Sequence, residues 1–227
     1  FLTLPASVLL LILRVPVVRL IFGTFNFPWS ATLTTSRLVA IIALSITAQA
    51  LVQLLIRAFY ALKDTRTPLL IAVGDVILYV SLCLLFVFAT PLGVYGIALA
   101  TTITALIEFL LFLFLLDRKV TGFARSEFWV PQIKIITASF FMAVFLYLPF
   151  RIFDELIFDT SRTIELIALT ITTSSIGILV YIYFAMLLEI KELTMLTQLI
   201  YTFDKWRKPL AQAKEVLIET SVEGDDA

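Results

Sequence analysis

Asp75 and Glu108 are the first residues to weigh, because each is a carboxylate set inside a long apolar run. A charge held in such surroundings is costly, so it is by default a candidate for binding or transport. Each lies some fifteen residues from the turn 90–93, one before it and one after. At about 1.5 Å per helical residue the two sit at similar depth. They could share a proton or a cation, pair with arginines from elsewhere, or face water or protein separately. Gln49, Gln53 and Arg57 recur at i, i+4 and i+8, with Ser45 one turn earlier, and so form one polar stripe. Such a stripe packs against other helices or lines a cavity. Arg14 interrupts an apolar run just before Pro16, and an arginine there can hold a phosphate through paired hydrogen bonds if it faces a hydrated cavity. Arg19 and Arg57 lie close enough to helix ends to anchor at the interface. The hydroxyl residues Thr101, Thr102 and Thr104, and Thr170 to Ser175, suit close helix packing.

The remaining chemistry is excluded by what the chain lacks. It has no His, and its one Cys, Cys83, is embedded in an apolar run. The commonest general base and the commonest metal ligand are therefore absent, and no cysteine-rich metal site can form. There is no nucleophile beside a base and no phosphate-cradling glycine loop, so the chain is not expected to be an enzyme, to use a cofactor or to bind a metal through such a motif. Formal net charge is zero, which gives no basis for nucleic-acid binding.

These residues are carried by an unusually apolar chain. Of 227 residues 61% are hydrophobic and 15% charged. That composition is a membrane protein's. About 20 helical residues cross a bilayer core, and six segments qualify: 2–22, 38–60, 68–89, 93–116, 131–150 and 164–188. They are too long for barrel strands and lack alternation, so the expected fold is an all-α polytopic bundle. Pro16 should kink the first segment. Residues 26–30 read as a turn with Trp29 at the interface, Pro68 falls in a first helical turn, and 90–93 makes a tight hairpin.

Lys63, Arg66, Arg118, Lys119 and Arg125 fall on one side of the predicted bundle, and Arg37, Arg151 and Arg162 on the other. The positive-inside rule places the first side, and both chain ends, in the cytoplasm. Residues 189–218 read as an amphipathic cytoplasmic segment and 219–227 as an acidic disordered tail. The chain lacks an initial Met and a charged leader, which suggests a piece of a longer protein.

The stretch Arg57-Ala58-Phe59-Tyr60-Ala61-Leu62-Lys63-Asp64-Thr65-Arg66-Thr67-Pro68 closely resembles a signature of the lipid II flippases of bacterial cell-wall synthesis, the MurJ/MviN family. The preceding helix from Ala48, the segments Leu4 to Val8 and Pro16 to Phe22, and the run Pro91 to Thr101 resemble the same family in the same order. The resemblance implies a fourteen-helix, two-lobed membrane protein of the multidrug, oligosaccharidyl-lipid and polysaccharide exporter superfamily, of which this chain would cover helices nine to fourteen. It implies alternating access, with lipid II or a similar polyprenyl-pyrophosphate glycolipid as cargo. It also implies a bacterial cytoplasmic-membrane location, and contact with membrane lipids and with an N-terminal lobe of the same protein.

The family's cavity arginines would lie mostly in that lobe. Positions resembling a sodium site of some members are Tyr79, Cys83 and Thr101. Phenol and thiol suit a hard cation poorly, and Asp75 is the possible substitute. The aromatic residues Phe140, Phe141, Phe145, Tyr147 and Phe150 would suit a groove for the polyprenyl tail, or ordinary lipid. An exporter of another polyprenyl-linked oligosaccharide, or a membrane scaffold without transport, stands as the alternative.

Overall fold

The computed structural model describes residues 1–23, 28–120, 125–156, 163–190 and 192–193. The predicted amphipathic segment and acidic tail lie almost wholly outside them, as do residues 26 and 27 of the first predicted turn. Among the described residues there are seven helices and no strand: α1 (Thr3–Ile12), α2 (Arg14–Phe22), α3 (Trp29–Ala61), α4 (Arg66–Phe88), α5 (Val94–Lys119), α6 (Arg125–Leu156) and α7 (Thr163–Leu187). The five longest are apolar and long enough to cross a membrane.

The first predicted span is corrected in one respect. It is two helices, bent by 78°. Pro16 cannot donate to the Ile12 carbonyl and its ring crowds that oxygen, so α1 stops at Ile12 and Leu13 joins it to α2. The second predicted span begins nine residues early. Its first turns are rich in Ser and Thr, yet remain helical. Thr34 Oγ1 donates to the Ser30 carbonyl at 3.0 Å and Ser36 Oγ to Leu33 at 2.9 Å, while Thr32 and Ser36 are buried. α6 likewise runs through Pro131 and Pro149, as membrane helices can when neighbours compensate the missing bond.

Packing divides the helices into two groups that share α3. One cluster joins Ile135, Ala138 and Met142 of α6 to Tyr181 and Ala185 of α7, with Phe1, Leu4 and Leu9 against it. The other joins Val52 and Phe59 of α3 to Ile71 of α4 and Phe112 and Leu116 of α5. α5 lies along both α3 and α4, whereas α3 and α4 scarcely meet. Thr102 Oγ1 ties α5 to α3 by donating to the Ile41 carbonyl at 2.9 Å. Gly96 lets α5 approach α4, because a Cβ there would come within 2.7 Å of Phe86 Cβ. Gly93, at φ +52°, turns the chain between them.

Candidate functional site

The gap between α3 and α4, floored by α5, is a cavity of about 260 Å³. α3 contributes Gln49, Val52 and Gln53, α4 contributes Asp75 and Tyr79, and α5 contributes Thr101, Thr104, Ala105 and Glu108. Helical periodicity explains the grouping: Gln49 and Gln53, Asp75 and Tyr79, and Thr101, Thr104, Ala105 and Glu108 each recur at three or four residues. Asp75 and Glu108 lie close enough for their charges to act on each other. Tyr79 of α4 and Thr101 of α5 share the lining, with Cys83 one turn further along α4. Gln49 Nε2 donates to Ser45 Oγ at 3.0 Å, and that buried serine donates in turn to the Ile42 carbonyl at 2.7 Å. One hydrogen of the Gln49 amide is thereby fixed along its own helix.

Seven of the residues singled out from sequence thus share one cavity: Gln49, Gln53, Asp75, Tyr79, Thr101, Thr104 and Glu108. Arg14 and Arg57 do not line it. Arg14 opens α2 beside the bend. Arg57 is exposed, one turn beyond Gln53. Val52 and Ala105 were not anticipated as lining, because small apolar residues on a membrane helix carry no distinguishing mark. Thr104 lines the cavity, but its hydroxyl donates to the Ala100 and Thr101 carbonyls at 3.0 and 3.2 Å and so serves its own helix. The cavity lining carries two carboxylates and no basic side chain. It suits protons, cations, hydroxyls or amides, and repels a pyrophosphate.

At one end of the same three helices, the loop after α3 is held by its neighbours. Lys63 takes φ 57°, and the chain closes α3 with Lys63 N–H to Tyr60 and Asp64 N–H to Phe59, a Schellman ending without its usual glycine. Asp64 then accepts from the Arg66 and Thr67 N–H groups, both at 3.1 Å, and pairs with Lys119 at the end of α5. Lys119 Nζ also stands 5.5 Å from the centroid of Phe59, whose fully buried ring meets Phe112 edge-on. The Lys119 ammonium and the Thr67 hydroxyl and N–H hold the Asp64 carboxyl far below the usual carboxylate range. Of the predicted signature loop, then, Phe59, Tyr60, Asp64, Arg66 and Thr67 make these contacts, and Pro68 is buried in the first turn of α4.

On the other group, Phe141 stacks on Phe184 at 4.5 Å and Phe145 lies 5.8 Å from it. Phe140, Phe145 and Tyr147 are exposed, which places the predicted aromatic set along the outer side of α6 and against α7.

The family model described as lipid II flippase MurJ matches residues 1–167. A probable lipid II flippase MurJ of Rhizobium meliloti (strain 1021) is 33% identical over 150 residues, covering 63% of this chain and 28% of that protein. One of Thermotoga maritima is 30% identical over 193 residues, covering 85% and 36%. A solved structure titled lipid II flippase MurJ, inward closed conformation, superposes with a TM-score of 0.65 at 27% identity, covering 81% of this chain and 35% of that one. The chain therefore spans about a third of the length of the relatives it matches.

Proposed function

Because the chain belongs to the lipid II flippase MurJ family, we propose that it forms the second part of a transporter that moves lipid II, a polyprenyl-pyrophosphate glycolipid, across a bacterial cytoplasmic membrane by alternating access. The observation that carries this is the polar cleft between α3 and α4, set among helices whose other faces are apolar. A sugar–peptide head group cannot cross hydrocarbon bare, whereas its tail can stay in lipid. A two-lobed protein rocking about such a polar interior supplies the shielded route. The two carboxylates argue that the pyrophosphate is bound by the remainder of the protein, and that this cleft meets the cargo's hydroxyl, amide or ammonium groups or a coupling ion.

In this reading residues 1–188 form the membrane bundle, 189–218 an amphipathic cytoplasmic segment and 219–227 an acidic tail. The Asp64 end faces the cytoplasm, supported by Lys63, Arg66, Arg118 and Lys119 at that end. The aromatic side of α6 and α7 accompanies the polyprenyl tail. The test is complementation by the full-length reading frame in bacteria depleted of their own lipid II flippase. Rescue with lipid II restored at the outer surface is expected. Failure despite membrane insertion would shift the reading to an exporter of another polyprenyl-linked sugar or to a scaffold.

A further inference from the structure

The bend between α1 and α2 decides where α2 lies. The two helices are about 15 Å and 14 Å long. Because they meet at 78°, α2 leaves the line that α1 follows. The level of the bend follows from side-chain partners. The Tyr181 hydroxyl donates to the Phe1 carbonyl at 2.9 Å, and Leu9 stands at Gly177, so α1 runs opposite to α7. The long helices alternate in direction, so α1 also runs opposite to α3. Ser7 meets Thr47 at 3.3 Å. Six residues on, about 9 Å further, Leu13 comes level with Ile41, the partner of Thr102. Thr102 is only eight residues from the start of α5, so the bend sits within about 12 Å of that end of the bundle. From there α2 runs across the end, packed on α3 and α7.

Its side chains suit a boundary between lipid and water. Val18 is 1% exposed and Pro16 is buried, while Ile21 is 66% and Phe22 48% exposed, and Trp29, the first residue of α3, is 55% exposed beside them. The Arg19 guanidinium lies 5.3 Å from the Trp29 ring centroid, which leaves its edges able to hydrogen-bond. This end carries Arg14, Arg19 and Arg37. The only carboxylate among the described residues of α1, α2, α3 and α7 is Glu165, which has a contact of its own. The last turn of α6 brings Asp154 and Glu155 to the same end, so the basic and apolar character belongs to α2 itself, through Arg14 and Arg19 beside Ile21 and Phe22.

We propose that α2 is an interfacial foot, lying along the membrane boundary at the end where α3 begins, and that Arg14 and Arg19 engage the phosphates of anionic phospholipids there. An amphipathic basic helix at this depth gains from apolar burial and from headgroup charge together.

The test uses the full-length protein in a Cys83→Ala background, reconstituted in equal parts phosphatidylglycerol and phosphatidylcholine. Nitroxides at Val15 and Phe22, seven residues apart on one face of α2, are expected to report one depth within a few ångströms. A difference of about 1.5 Å per residue would overturn the proposal, as would labels shielded from both lipid-soluble and water-soluble relaxants, which would mean that protein covers α2. Phosphatidylglycerol is expected to co-purify several-fold over phosphatidylcholine. The preference should vanish in the Arg14→Gln/Arg19→Gln protein and persist in Arg14→Lys/Arg19→Lys, which also controls for folding. Equal retention of both lipids by the unaltered protein would sink the headgroup contact.

Discussion

Asp75 and Glu108 illustrate what two side chains inside a membrane can be asked to do. Each is uncharged when protonated and costly when ionised, and each faces the other across the α4–α5 interface. In the full-length protein, Asp75→Asn and Glu108→Gln are expected to cut lipid II transport at least several-fold at unchanged membrane abundance. The double variant should be little worse than the single ones, because coupled groups do not add. Full transport by either single variant would remove that carboxylate from the mechanism. Asp64 behaves differently. Its folded carboxyl titrates far below the usual range, so its contribution is fully present above its unfolded value and is lost only as pH falls through the folded one. Asp64→Asn should therefore lower the melting temperature equally at pH 5 and pH 8; a penalty confined to pH 8 would contradict the ion pair. Ser139 and Thr173 are buried hydroxyls with no hydrogen-bond partner between α6 and α7. Ser139→Ala and Thr173→Val should each stabilise by about 1 kcal/mol, raising the midpoint by about 2–4 °C; a loss in calorimetry would reveal a partner.

Among the elements, α4 stands out because it rests on α5 and little else. The seam depends on Gly96, and Gly96→Ala is expected to cost about 1–3 kcal/mol through overpacking against Phe86. The same change should reduce transport, since it moves Asp75 relative to Glu108. Thermal unfolding together with flipping assays checks both. The helices themselves were legible in the sequence because hydrophobic length is a strong signal, and the hairpin at Gly93 because only a few residues tolerate its backbone. The broken first span was legible only as a kink. Pro16 marks the place, but a 78° bend requires packing around Leu13 that no local pattern encodes. The early start of α3 was hidden because its Ser and Thr residues read as loop until their side chains are seen bonding back to the helix. The cleft was half legible: spacing put the polar residues on faces, but which faces meet is set by α5 packing against both neighbours.

For the molecule as a whole, the chain spans about a third of its relatives, and it presents a polar cleft beside broad apolar surfaces. Expressed alone in detergent it is expected to unfold without a sharp monomeric transition, whereas the full-length protein should show one; a cooperative monomer would establish this part as independently stable. Alternating access would change the surroundings of the α3–α4 cleft at each cycle. The chain already carries an instrument for following that. Cys83 is its one thiol, one helical turn along α4 from Tyr79 of the cleft wall. A small thiol-directed fluorophore placed there would turn each opening and closing into a change of emission, with no engineered label on any helix of this part.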